Sequence, residues 1–138
     1  MSLFEQLVPQ LRRDEGWVLR AYKDSLGILT IGCGHNLTVP ISNEAVRQIL
    51  RDDVAVVMTA LEGREWFQAL SEPRQGVLVN MAFNLGLEGM LAFTKMLAAV
   101  RMGDWEQAAR DMLDSTWALQ VGARANRLAQ QMREDRWV

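Results

Sequence analysis

The feature that most restricts the fold is a change of hydrophobic period close to residue 40. Beyond Ser42, apolar residues recur at helical spacing almost to the C-terminus. Val46, Ile49, Leu50, Val54, Val57, Met58 and Leu61 lie on one helical face. Ser42 sits at the N-cap position, and Glu44 places an acid in the first turn, where the helix dipole favours it. Ser71 caps a second helix with Pro73 in its first turn and Gly86 just past its end. Its inward face is Val77, Leu78, Met81, Ala82 and Leu85. Thr94 is expected to cap a shorter helix that reaches Arg101 and stops at Gly103. Asp104 opens another, with Trp105, Ala108, Ala109 and Met112 inward, and a last helix spans about Gly122 to Arg133.

Upstream, Leu3, Phe4, Leu7, Val8 and Leu11 give Ser2–Asp14 a helical spacing, with a kink or restart expected at Pro9. From Gly16 to His35 the texture differs. Asp24-Ser25-Leu26-Gly27 is turn chemistry. Ile28, Leu29, Thr30 and Ile31 suit a strand, and Gly32-Cys33-Gly34 permits the sharp change that ends it. The stretch therefore reads as one β-hairpin, and the fold class as α+β: mostly helical, with one small sheet near the N-terminus. With 138 residues, three prolines and neither repeats nor low-complexity segments, a single domain is expected.

Composition narrows the function. Hydrophobic residues make up 49% of the chain, too many for a disordered segment. A net charge of −2 argues against a dedicated nucleic-acid binder, which carries a basic stripe. Cys33 is the sole cysteine, so no internal disulfide forms, and it is expected to act as a small buried hydrophobe. The N-terminus lacks the pattern of a signal peptide, and no apolar run reaches the roughly 18 residues of a membrane span. Stable membrane association is therefore not expected.

The residues with chemical potential cluster in the β stretch. Glu15 ends a helix before Gly16, where the negative end of the dipole disfavours a carboxylate. Trp17 and Leu29 are expected to desolvate it further, and both effects favour a protonated acid able to donate. Asp24, at a hydrated turn, is expected to stay ionised. Two carboxyl groups in contrasting environments are the acid/base pattern of glycoside hydrolysis. Thr30, across the hairpin, offers a hydroxyl that can help hold a water. Two acids alone specify little, since charged side chains ordinarily sit on the surface.

The complete motif specifies more. Asp14-Glu15-Gly16, Tyr22-Lys23-Asp24-Ser25, Gly27 and Thr30-Ile31-Gly32-Cys33-Gly34-His35 together resemble the phage-type lysozymes of the T-even kind. Asn80 through Gly86 and Ala92-Phe93-Thr94 look like that family's central helix and the segment after it. Trp105, Ala108 and Ala109, then Ser115, Trp117, Arg124, Ala125 and Arg127, are similar to its C-terminal helices. The resemblance implies a small β lobe over about 16–38, a helical lobe from the remainder and a cleft between them. It implies hydrolysis of the β-1,4 bond between N-acetylmuramic acid and N-acetylglucosamine in peptidoglycan, with inversion. Glu15 is then the proton donor, while Asp24 and Thr30 position the attacking water; no metal or cofactor is implied.

The same resemblance places Arg124 beside the acid, Phe83 on the cleft wall, and His35 in an ion pair with Asp53. It implies a monomeric phage or prophage endolysin, made in the bacterial cytoplasm and admitted to the periplasmic wall by a holin. Two features depart from the family. Val39-Pro40-Ile41 replaces a much longer segment, so a trimmed β lobe and a more open cleft are expected. Asn36, Met96 and Asp111 stand where the family has other residues, so no role is transferred to them. The weak negative charge forgoes long-range attraction to an anionic wall, unless Arg12, Arg13, Arg20 and Lys23 make the rim locally positive. Two alternatives share the fold: a lytic transglycosylase giving anhydro products, and a catalytically silent wall-binding protein. Retention of Asp24 and Thr30 favours attack by water over both.

Overall fold

The first helix is marked chemically at both ends. In the computed structural model, which describes residues 1–138, α1 runs Leu3–Glu15. Ser2 Oγ accepts the Glu5 N–H at 3.2 Å, and Glu5 Oε2 accepts the Ser2 N–H at 2.8 Å. This reciprocal cap satisfies two donors that a helix start otherwise orphans. The helix does not restart at Pro9. Proline removes one backbone bond from a helix already capped, whereas a restart would need a second nucleation. Gly16 stops it at φ 87, its N–H donating to Arg12 O at 3.0 Å.

The expected hairpin is instead a three-stranded antiparallel sheet, β1 (Val18–Lys23), β2 (Leu29–Gly32) and β3 (His35–Asn36), in that spatial order. Tyr22 pairs with Thr30 and Lys23 with Leu29, and a register shift separates Val18 from Tyr22. Gly32 and Gly34, both at φ +71, do more than end β2. They reverse the chain so that His35 pairs with Ile31 and Asn36 with Thr30. A two-residue strand is too short for an alternating pattern to reveal.

The chain divides into two compact units, Met1–Val46 and Arg47–Val138. α1 and the sheet belong to the first. α2 (Asn43–Glu62) starts there, capped by Ser42 Oγ accepting the Ala45 N–H at 3.1 Å, and continues into the second. The second unit adds α3 (Glu65–Gln68), α4 (Glu72–Leu85), α5 (Leu87–Leu91), α6 (Thr94–Met102), α7 (Trp105–Leu113), α8 (Thr116–Val121) and α9 (Ala123–Glu134). Its core centres on Phe67, Leu61 and Leu78, with Met81, Met90 and Met112 fully buried among them. Methionine suits such a core, because its unbranched chain fills the irregular gaps between short helices.

Ser71 caps α4 and Asp104 caps α7 as expected. Thr94 does not cap α6: Phe93 holds that position without a side-chain bond, and Thr94 is the first helical residue. The short helices α3, α5 and α8 were not legible, because one or two turns give too few apolar positions to define a period. Arg74 closes the unit from α4, donating through Nε to Met132 O at 2.8 Å and through Nη2 to Arg133 O at 3.2 Å. Its guanidinium also lies 3.9 Å from the centre of the Trp105 ring. No helix is long and apolar enough to cross a membrane.

Candidate active site

Glu15, Asp24 and Thr30 all lie in the first unit, each placed by a different local device. Glu15 is the last residue of α1, and Gly16 turns the chain away immediately after it. The expected apolar enclosure is not found: Glu15 is exposed, and so are Trp17 and Leu29, at 51% and 45%. Trp17 is engaged elsewhere, its ring centre lying 4.6 Å from the Arg12 guanidinium carbon. Gly34 lies beside Glu15, where an added Cβ would stand 2.8 Å from Glu15 Oε2.

Asp24 is half-buried and builds its own turn. Its Oδ1 accepts the N–H of Leu26 and that of Ile28, each at 2.9 Å. A carboxylate bonding the backbone two residues on is a standard turn-former. Its own N–H donates to Ile28 O at 2.9 Å, while Gly27 N–H returns to Asp24 O at 3.0 Å. Thr30 is buried at 4% exposure and donates its hydroxyl to the same Ile28 carbonyl at 2.8 Å. The Asp24 carboxylate and the Thr30 hydroxyl are therefore both anchored to the backbone of Ile28. With its proton committed, the Thr30 oxygen is left as an acceptor, and Asp24 Oδ2 makes no hydrogen bond within the chain. A carboxylate oxygen and a hydroxyl lone pair are each able to accept a hydrogen bond from water.

His35 is exposed on β3, and Cys33 is half-buried between the two glycines rather than fully buried. Asn36 Oδ1 accepts from the Thr38 N–H at 2.9 Å and from its hydroxyl at 2.6 Å, which shapes the exit from the sheet. Of the nearby cations, Arg13 is paired with Asp14 at 2.8 Å, and this bond holds its guanidinium more firmly protonated.

In the second unit, Phe83 is 46% exposed and is a groove residue, not a core one. It lines a groove of about 460 Å³ with Asp53, Val57 and Leu87, and a smaller one of about 310 Å³ with Arg124, Leu50 and Trp137. Arg124 is clamped to α4, its Nε and Nη2 donating to Asn80 Oδ1 at 3.0 and 2.8 Å. Three features lacked an assignment from sequence: Asn80 as this clamp, the Trp117 Nε1 bond to Asn84 Oδ1 at 2.9 Å, and a pocket of about 370 Å³. The pocket brings Met96 and Asp111 together with Phe93, Lys95 and Asp114. Its residues come from α6, α7 and the segments that flank them, and no sequence spacing joins them.

Comparison with known proteins places the chain in a family. Residues 12–135 match the phage lysozyme family. Among curated relatives, the pre-baseplate central spike protein Gp5 of enterobacteria phage T4 is 32% identical over 88% of this chain, which spans only 26% of that protein. "Probable T4-type lysozyme 1" of Dictyostelium discoideum is 27% identical over 86% of this chain and 88% of its own length. An endolysin of Acyrthosiphon pisum secondary endosymbiont phage 1 is 28% identical over 82% of this chain and 79% of its own. With the acid-ended helix, the Asp24 turn and a family match over nearly all its length, the chain belongs to the phage lysozymes, which are glycoside hydrolases.

Proposed function

We propose that this chain hydrolyses the β-1,4 bond between N-acetylmuramic acid and N-acetylglucosamine in bacterial peptidoglycan. Glu15 donates its proton to the glycosidic oxygen as the bond to the anomeric carbon breaks. A water held by Asp24 Oδ2 and the Thr30 oxygen attacks that carbon from the opposite face and passes its proton to Asp24, so the configuration inverts. The observation that carries this reading is the shared anchorage of Asp24 and Thr30 on Ile28, which holds two acceptors in place without consuming Asp24 Oδ2. Glu15 stands exposed at a helix end, open to a sugar chain whose binding would exclude water around it.

Supporting roles follow from the family resemblance. Among them, Phe83 contacts the glycan. The biological role we propose is lysis of a bacterial host by a monomeric phage or prophage endolysin. It is made in the cytoplasm and passed to the wall through a holin.

The test is digestion of purified peptidoglycan with wild type and Glu15→Gln, followed by analysis of the sugar ends. Reducing ends with wild type and none with a folded Glu15→Gln are expected. Anhydro ends would assign a transglycosylase, and no cleavage by wild type would assign a binding protein. Wild-type turnover from Glu15→Gln would remove Glu15 from the reaction.

A further inference from the structure

We propose that Gly34 is a positioning residue for the Glu15 carboxyl group: the missing side chain at 34 is what lets the acid occupy its place. This rests on the reading of Glu15 as the proton donor. A Cβ at position 34 would stand 2.8 Å from Glu15 Oε2, 3.2 Å from its Cδ and 3.3 Å from its Cβ. Ordinary contact begins at 3.4 Å, so Oε2 must retreat by 0.6 Å (3.4 − 2.8) or more. The two nearest atoms met, Oε2 and Cδ, belong to the free end of the side chain and yield by swinging the Glu15 carboxyl group aside, while the Glu15 Cβ need give only 0.1 Å (3.4 − 3.3). The cost of a side chain at 34 therefore falls on where the acid points, and much less on whether the chain folds.

The turn carries its own control. Gly32 has the same φ of +71 as Gly34, yet nothing lies within 4 Å of a Cβ built there. Alanine at either site meets backbone strain, because an L side chain disfavours a φ of this sign. Only at 34 does it also meet the acid. Backbone strain alone thus gives no reason for the Glu15 carboxyl group to move in one variant and not the other, and positioning predicts that it moves only in the 34 variant.

The experiment compares Gly34→Ala and Gly32→Ala on soluble, uncrosslinked peptidoglycan strands. Both are expected to lower Tm. Gly34→Ala should lose about 10–100-fold in kcat, the scale set by sub-ångström to 1 Å misplacement of a catalytic group. Its KM should stay near wild type, while Gly32→Ala keeps kcat within about twofold, because position 32 has no contact with the acid. In protein labelled with ¹³C at glutamate Cδ, assigned through Glu15→Gln, the Glu15 signal should move in Gly34→Ala and not in Gly32→Ala. Should Gly34→Ala fold poorly, Gly34→Asn retains a Cβ with a residue that tolerates left-handed backbone, and the same loss is expected. Equal kcat losses at 32 and 34, or an unmoved Glu15 signal in the 34 variants, would overturn the inference while leaving Glu15 as the acid. Full activity of Glu15→Gln would overturn the catalytic reading, and the inference with it.

Discussion

In the proposed mechanism Asp24 performs two tasks that substitution can separate, one at each carboxylate oxygen. Oδ1 accepts two backbone N–H groups, from Leu26 and Ile28 at 2.9 Å each, and Oδ2 is the oxygen proposed to hold water. Asp24→Ala removes both bonds. At a half-buried site each charge-assisted bond contributes about 1.5 kcal/mol, so the loss is about 3 kcal/mol. Asp24→Asn keeps a neutral acceptor worth about 1 kcal/mol per bond, so its loss is only about 1 kcal/mol. An unfolding entropy near 2.1 cal/mol/K per residue over 138 residues is about 0.3 kcal/mol/K, which converts these losses to roughly 10 °C and 3 °C in Tm. Turnover behaves otherwise: both variants lose the anionic Oδ2 and should fall together by about 10²–10⁴-fold, the range for a positioned acid or base. Calorimetry with reducing-end release on the same preparations tests the pair. Wild-type turnover in Asp24→Asn would refute the role of Oδ2, and equal melting of the two variants would refute the turn-forming role of Oδ1.

Other sites give narrower tests. Thr30→Val removes the hydroxyl that donates to Ile28 O, and because that carbonyl keeps the Asp24 N–H, stability should fall by only about 1 kcal/mol while turnover drops more than tenfold, measured by denaturant titration and reducing-end release. Phe67→Ala empties a fully buried site and should cost about 3–5 kcal/mol, seen as a Tm lower by roughly 10–17 °C. Arg74→Lys replaces a planar fork, bonded to two carbonyls and stacked on Trp105, with a single point charge, and should cost about 2 kcal/mol in urea unfolding.

Much of the molecule was legible from local chemistry. Ser42, Ser71 and Asp104 each announce a helix start, and the side-chain bond expected from each is present. The Asp24–Gly27 turn and the approach of Thr30 to it were likewise readable, because turn residues act over four positions. The family motif was legible for the same reason, since Glu15 through His35 is one continuous stretch. Glu15 shows where this reading stops. Apolar neighbours in sequence suggested enclosure, yet Trp17 stacks on Arg12, and Glu15 stays exposed. Adjacency along a chain does not fix which way two side chains turn.

By itself, then, the sequence determined the α+β class, the main helices with the caps at Ser42, Ser71 and Asp104, and the turn that Asp24 builds, all of which depend on residues within a turn or two of one another. Tertiary structure alone decided that β3 pairs back onto β2, that Asn80 clamps Arg124, and that Arg74 ties α4 to the end of α9. It alone distinguished Gly34, pressed against Glu15, from Gly32, which faces open space. The two glycines share a residue type, a backbone angle and a turn. What separates them is which atoms the folded chain carries alongside, and that depends on packing in three dimensions, to which the local pattern is blind.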